Sequence, residues 1–174
     1  MEENSASNKT RSWKLTKREQ TITIVVLAFG LLGGWLPERI SVATSKSVGH
    51  RIFFLSQPAT KVNMGDFLVF RHKADLPFTQ KSLTDNDRMI KIVGCTSGKS
   101  LTVDTGRQFM CDGKPLGTAL ETDSQGNPLP QFAFSGQIPA GKLFMVGTDP
   151  RSFDSKYFGF IDEREILYRA TPIL

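Results

Sequence analysis

The sequence predicts a mostly β domain carried on one N-terminal transmembrane helix, and three observations predict it. One uncharged run, Thr21 to Leu36, reads TITIVVLAFGLLGGWL. Beyond it, short runs of β-branched and aromatic residues alternate with Gly, Pro, Asn and Asp, the pattern of strands and turns. No second long helical pattern and no internal repeat is visible. At 174 residues the chain has room for one anchored domain rather than two.

Residues 1–20 are polar, with Lys9, Arg11, Lys14, Lys17 and Arg18 outweighing Glu2, Glu3 and Glu19. They read as a disordered basic tail. The apolar run follows as a helix of about 24 Å, against a bilayer core of about 30 Å. Trp35 can sit at the far interface and neighbouring residues can lengthen the span. A cleaved signal peptide is the competing reading. The long basic segment and the lack of a clean Ala-x-Ala site favour a retained anchor over 21–37. The positive-inside rule then leaves the tail in the cytoplasm and puts residues 38–174 outside.

Pro37-Glu38-Arg39 ends the span, and Ser47 follows closely. At ~3.4 Å per extended residue it stays near the bilayer, which suits a membrane-embedded substrate. Strands are expected over Arg51–Leu55, in Val62–Phe70 after the Gly65-Asp66 turn, and over Arg88–Val93. Further strands are expected over Ser100–Val103, Gln108–Cys111, Lys114–Leu116 and Lys142–Val146, with a hairpin turn at Asp112-Gly113. Arg71–Asp87 and Gly117–Gly136 read as loops, and Phe132 and Phe134 either meet lipid or a groove or pack on the core.

The net charge of +5 is modest and partly in the tail, with no basic stripe of interleaved aromatics. Nucleic acid is therefore not an expected partner. Cys95 and Cys111 lie on the same side of the apolar run. Outside the cell membrane they would pair, closing a loop worth roughly 3 kcal/mol; the alternative is two buried thiols. Two cysteines with the distant His50 and His72 have no recognised ligand spacing, so neither a metal nor another cofactor is expected.

The polar stretch Ser45-Lys46-Ser47-Val48-Gly49-His50 offers hydroxyls, and a hydroxyl needs a base before it can attack a carbonyl. His50 and His72 supply a triad only thinly. Lysine can serve if burial lowers its pKa, because near 10.4 only about one amine in a few thousand is neutral at pH 7. Lys91, between Met89-Ile90 and Ile92-Val93, has suitable neighbours. Taken alone, such a lysine is more often a snorkelling surface lysine on a strand.

Gly65-Asp66 before a strand, Arg88-Met89-Ile90-Lys91-Ile92-Val93-Gly94, and Ser152-Phe153-Asp154-Ser155-Lys156-Tyr157-Phe158-Gly159 resemble, in order, the boxes of type I signal peptidases (S26). The resemblance spans Ser45 to Ala170 and implies a signal-peptidase/LexA-like β catalytic domain over 38–174. It implies a membrane-anchored serine endopeptidase with a Ser/Lys dyad: Ser47 as nucleophile and Lys91 as general base. Ser45 and the Ser47 backbone N–H would form the oxyanion hole. Ser152 would orient the amine, and Asp154, paired with Lys156, would support the site.

Two boxes depart from the housekeeping pattern. Ser47-Val48-Gly49-His50-Arg51 stands for Ser-Met-x-Pro, and Gly147-Thr148-Asp149-Pro150-Arg151 for Gly-Asp-Asn-Arg. The first is closer to the Ser-Val-Pro-Arg-Gly-like context of the conjugative-transfer, TraF-type branch, with Gly49 for proline and Arg51 for glycine. That branch implies pilin maturation for a type IV secretion system, by hydrolysis or by cyclisation. The expected partners are a prepilin or preprotein and inner-membrane lipid, with the catalytic domain on the periplasmic side of a bacterial inner membrane. A general leader peptidase and a non-catalytic channel-assembly protein are the alternatives, with a self-cleaving repressor more remote. Ser45 rivals Ser47 as nucleophile.

Overall fold

The structure, a computed structural model, describes residues 16–58, 61–71 and 87–174. The chain divides into two compact units, Met1–Pro37 and Glu38–Leu174. In the first, helix α1 (Lys17–Arg39) contains the expected apolar run. Its large apolar side chains, among them Ile24, Val26, Leu27, Phe29 and Leu31, are exposed.

The expected transmembrane span needs correcting. Among the described residues no helix is long and apolar enough to cross a membrane. Thr21, Thr23, Gly30, Gly33 and Gly34 dilute the apolar stretch, and Lys17, Arg18, Glu19, Glu38 and Arg39 occupy the helix ends. Hydropathy that looked sufficient over a short core does not extend to a bilayer's thickness.

The second unit is mostly β, as expected. Strands β1 (Ile40–Val42), β2 (Ile52–Ser56), β3 (Phe67–Arg71) and β4 (Arg88–Thr96) come first. Then follow β5 (Ser100–Val103), β6 (Gln108–Cys111), β7 (Lys114–Thr118), β8 (Gly136–Gln137) and β9 (Lys142–Val146). A short helix α2 (Ser155–Phe158) leads to β10 (Ile161–Asp162) and β11 (Ile166–Pro172). Seven strands form one sheet in the order β1-β2-β11-β3-β4-β9-β10, and four form another, β7-β6-β5-β8. Among the described residues every pairing of these strands is antiparallel.

Strands β5, β6 and β9 have the expected bounds. The β6–β7 turn uses positive φ at Asp112 (47°) and Gly113 (78°), as an Asp-Gly hairpin demands. Strands β1, β8, β10 and β11 were not anticipated. β11 fills the gap between β2 and β3, so the C-terminal segment completes the large sheet. Its sequence, ILYRATP, alternates poorly because both faces are partly covered. The loop expected over Arg71–Asp87 falls largely on 72–86, outside the described residues, as does His72.

Three cores explain the layering. Cys95, Phe144 and Val146 of the large sheet pack on Leu101, Phe109 and Cys111 of the small one. Phe132 and Phe134 join this core, stacked on each other 6.0 Å apart and edge-on to Phe160, so they are packing residues. A second core sets α2 residue Phe158 against Leu68, Phe70, Val93 and Met145. A third gathers Phe53, Leu55, Val69 and Ala170 beneath Val48.

Cys95 and Cys111 form a disulfide that ties β4 to β6, and so one sheet to the other. Replacing both with alanine should lower unfolding free energy by about 3 kcal/mol on the chain-entropy account. Denaturant titration checks this: reductant should shift the wild-type midpoint and leave that of the double variant unmoved.

Candidate active site

The serine stretch is the tip of the β1–β2 hairpin. The Ala43 N–H donates to the Arg51 carbonyl across the hairpin (2.8 Å), and the Gly49 N–H donates to the Lys46 carbonyl to close the turn at its end (3.3 Å). Gly49 has φ +73°, which proline's ring cannot adopt, so glycine in place of the family's proline follows from this turn. Val48, 1% exposed, plugs the third core and anchors the tip. Ser47 is thereby buried while Ser45 stays exposed, and their hydroxyls lie 2.9 Å apart.

A second anchor comes from the segment after β9. The Thr148 N–H donates to the Ser47 carbonyl at 2.8 Å. Beside it, a Cβ on Gly147 would overlap the Ser152 side chain and come within 2.6 Å of the Ser47 carbonyl oxygen. Only glycine lets the serine turn and Ser152 approach each other this closely.

Lys91 sits mid-strand in β4, opposite Leu68 of β3. It shares a strand face with Val93, part of the core beneath α2. The residue is 4% exposed, and its Nζ donates to Ser152 Oγ at 2.8 Å. Burial pushes its pKa down to about 8, with the Lys156 charge adding to the fall and Asp154 and Asp149 opposing it. The snorkelling alternative does not hold, because the amine is enclosed. Ser45, Ser47, Lys91 and Ser152 line one cleft of about 400 Å³, with Leu55, Val69 and Met89 among its apolar walls. His50 is not among the lining residues; its ring packs edge-on against Phe53 and Phe67. His50 is therefore not placed there as a base, and His72 lies outside the described residues.

Asp154, fully buried, caps α2 and accepts from the Lys156 N–H (3.1 Å), Lys156 Nζ (2.6 Å) and the Gly147 N–H (2.9 Å). Ser155 Oγ accepts from the Met145 N–H at 2.8 Å, tying α2 to β9. Sequence reading missed the parts of Gly147, Thr148 and Ser155. Gly147 and Thr148 showed only within an altered box and Ser155 only within the Ser152–Gly159 match, because an excluded-volume contact and a backbone donor leave no periodicity to read. A hydroxyl and a low-pKa amine lining one partly apolar cleft are the two parts that acyl transfer needs.

The Asp154–Lys156 pair is buried on both sides, at 0% and 3% side-chain exposure. Asp154→Asn would leave a buried ammonium without its counter-charge and should cost about 3–5 kcal/mol. Asp112→Asn, in the exposed Lys99–Asp112 pair, should have a much smaller effect in the same chemical-denaturation assay.

The family model described as signal peptidase, peptidase S26, matches residues 12–174. A curated relative, the conjugal transfer protein TraF of Agrobacterium fabrum, is 30% identical over 157 residues, covering 83% of this chain and 84% of the relative. A solved signal peptidase I from Enterococcus faecalis V583 is 19% identical, with a TM-score of 0.42, over 66% of this chain and all of that one. The family match takes in both sheets, the serine hairpin, Lys91 and the Ser152–Gly159 segment, and the chain belongs to the signal peptidase S26 family.

Proposed function

We propose that this protein is a Ser/Lys endopeptidase that matures a prepilin for conjugation, with Ser47 as nucleophile and Lys91 as general base. The observation that carries the dyad is the buried Lys91 amine, held by Ser152 in the cleft that Ser47 lines. Support for conjugation is the relative named conjugal transfer protein TraF.

In this mechanism neutral Lys91 takes the Ser47 proton as Oγ attacks the scissile carbonyl. The oxyanion is met by the Ser47 N–H and the Ser45 hydroxyl, donors fixed before charge develops. Lys91 then returns its proton to the leaving amine as the C–N bond breaks, leaving an acyl ester on Ser47. Water ends the cycle by hydrolysis. The pilin's own N-terminal amine, attacking instead, would close a ring and give a product one water lighter.

The disulfide fits an oxidising compartment, and we assign the catalytic unit to the periplasmic side of the bacterial inner membrane. The exposed apolar side chains of α1 need cover in water, and lipid at that membrane would supply it.

Intact mass of the pilin from cells with wild-type protein, Ser47→Ala or Lys91→Ala tests this reading. A trimmed pilin from wild type alone is expected, and the ring-closed form would lack one further water. Trimming by both variants overturns the dyad. Loss of trimming across many secreted proteins, rather than the pilin, would make it a general leader peptidase.

The rate should follow the base. With a pKa of about 8, roughly one Lys91 in ten is neutral at pH 7. Activity on one peptide, measured as kcat/KM, should therefore climb through a midpoint near pH 8 and level off above it. A flat profile from pH 6 to 9 would exclude Lys91 as the base.

A further inference from the structure

We propose that the catalytic cleft continues past Arg151 into a second cavity, and that the Arg151 guanidinium selects a substrate with an acidic side chain beside the scissile bond. This rests on the reading that the cleft binds a polypeptide.

The second cavity, about 380 Å³, is walled by Leu120, Leu129, Phe153 and Tyr157. Arg151 and Phe153 line both cavities, so they stand where the two meet. Two polar groups of the second cavity, those of Tyr157 and Asp123, are already engaged. Tyr157 Oη accepts from the Leu120 N–H at 2.9 Å. The Asp123 carboxylate accepts from the Gln125 N–H (2.8 Å), the Asn127 N–H (2.9 Å) and Asn127 Nδ2 (2.9 Å). Leu120, Leu129 and Phe153 give it an apolar wall that can take a substrate side chain, beside the hydroxyl residues Thr122 and Ser124.

The first cleft has cations along its wall, Arg88, Lys91 and Arg151, and no carboxylate among its described lining residues. Two of the three are engaged: Arg88 lies over the Tyr168 ring at 5.9 Å, and Lys91 donates to Ser152. Arg151 is exposed, and its guanidinium has no ion-pair partner among the described residues. Its backbone is nonetheless fixed. Pro150 precedes it, its N–H donates to Asp149 Oδ1 at 2.8 Å, and the next N–H, of Ser152, donates to the Asp149 carbonyl at 2.9 Å.

A polypeptide crossing from one cavity to the other would cover that guanidinium. Covering it unpaired is costly, whereas a substrate carboxylate can take two parallel hydrogen bonds from the planar fork. A substrate lysine at the same point meets like charge, so selection works by attraction and by rejection.

The test uses the full chain in detergent micelles, bearing Ser47→Ala so that bound peptide is not turned over. Capped decapeptides randomised over Ala, Leu, Gln, Asp and Lys are the probe, and retained sequences are read by mass spectrometry. Asp-containing peptides should be enriched over Lys-containing ones by about fivefold. Adding Arg151→Glu should reverse that preference, and adding Arg151→Lys should keep its sign. The same enrichment with Arg151→Glu, or none with either protein, overturns the inference. Wild-type protein is then given the retained peptides. Charge selection without cleavage would refute the peptidase reading and keep the subsite. Cleavage without charge selection would refute the subsite and keep the peptidase.

Discussion

The site depends on enclosing one amine. A lysine in water is protonated at neutral pH, and the fold lowers the Lys91 pKa mainly by removing the water around it. That enclosure opposes folding below about pH 8, where native Lys91 still carries its proton. The displacement from 10.5 to about 8 corresponds to about 3 kcal/mol. Between those values the native state has released a proton that the unfolded chain still binds, so stability rises with pH through that window. In the proposed mechanism this unfavourable burial is what gives the base its reactivity.

Other parts of the domain read as answers to that constraint. β4 is paired on both sides, by β3 and β9, and is tied across to the small sheet by the disulfide, so the amine's backbone has little freedom. Ser152 Oγ accepts a hydrogen bond from Lys91 Nζ without carrying charge, so it holds the amine without adding a counter-charge that would raise its pKa. Asp154 is close enough to raise that pKa, and Lys156, bonded to it, opposes the effect. A carboxylate and an ammonium thus brace the segment while acting in opposite directions on the amine.

Much of this was legible in the sequence, for identifiable reasons. Strands β5, β6 and β9 declared themselves because each is short, apolar and bounded by turn residues. Ser47, Ser152 and Asp154 were singled out by residue order within boxes, and Lys91 also by its apolar neighbours. β11 was illegible because its place between β2 and β3 is a long-range pairing. The helix at Thr21–Leu36 was legible as a helix, while its span was misjudged because glycines and threonines count as uncharged but add little hydropathy. Arg151 stood out only as the last residue of an altered box, since only the folded chain sets it between two cavities.

Gly147 has a consequence for robustness. The separation between the serine turn and Ser152 is set by the absence of a side chain at 147, where a Cβ would collide with both the Ser152 side chain and the Ser47 carbonyl. Hard-core repulsion is indifferent to ionic strength, and changes little with acidity or warming. Attractive contacts nearby can weaken under those conditions without widening the gap, so this spacing behaves as a mechanical stop rather than a spring.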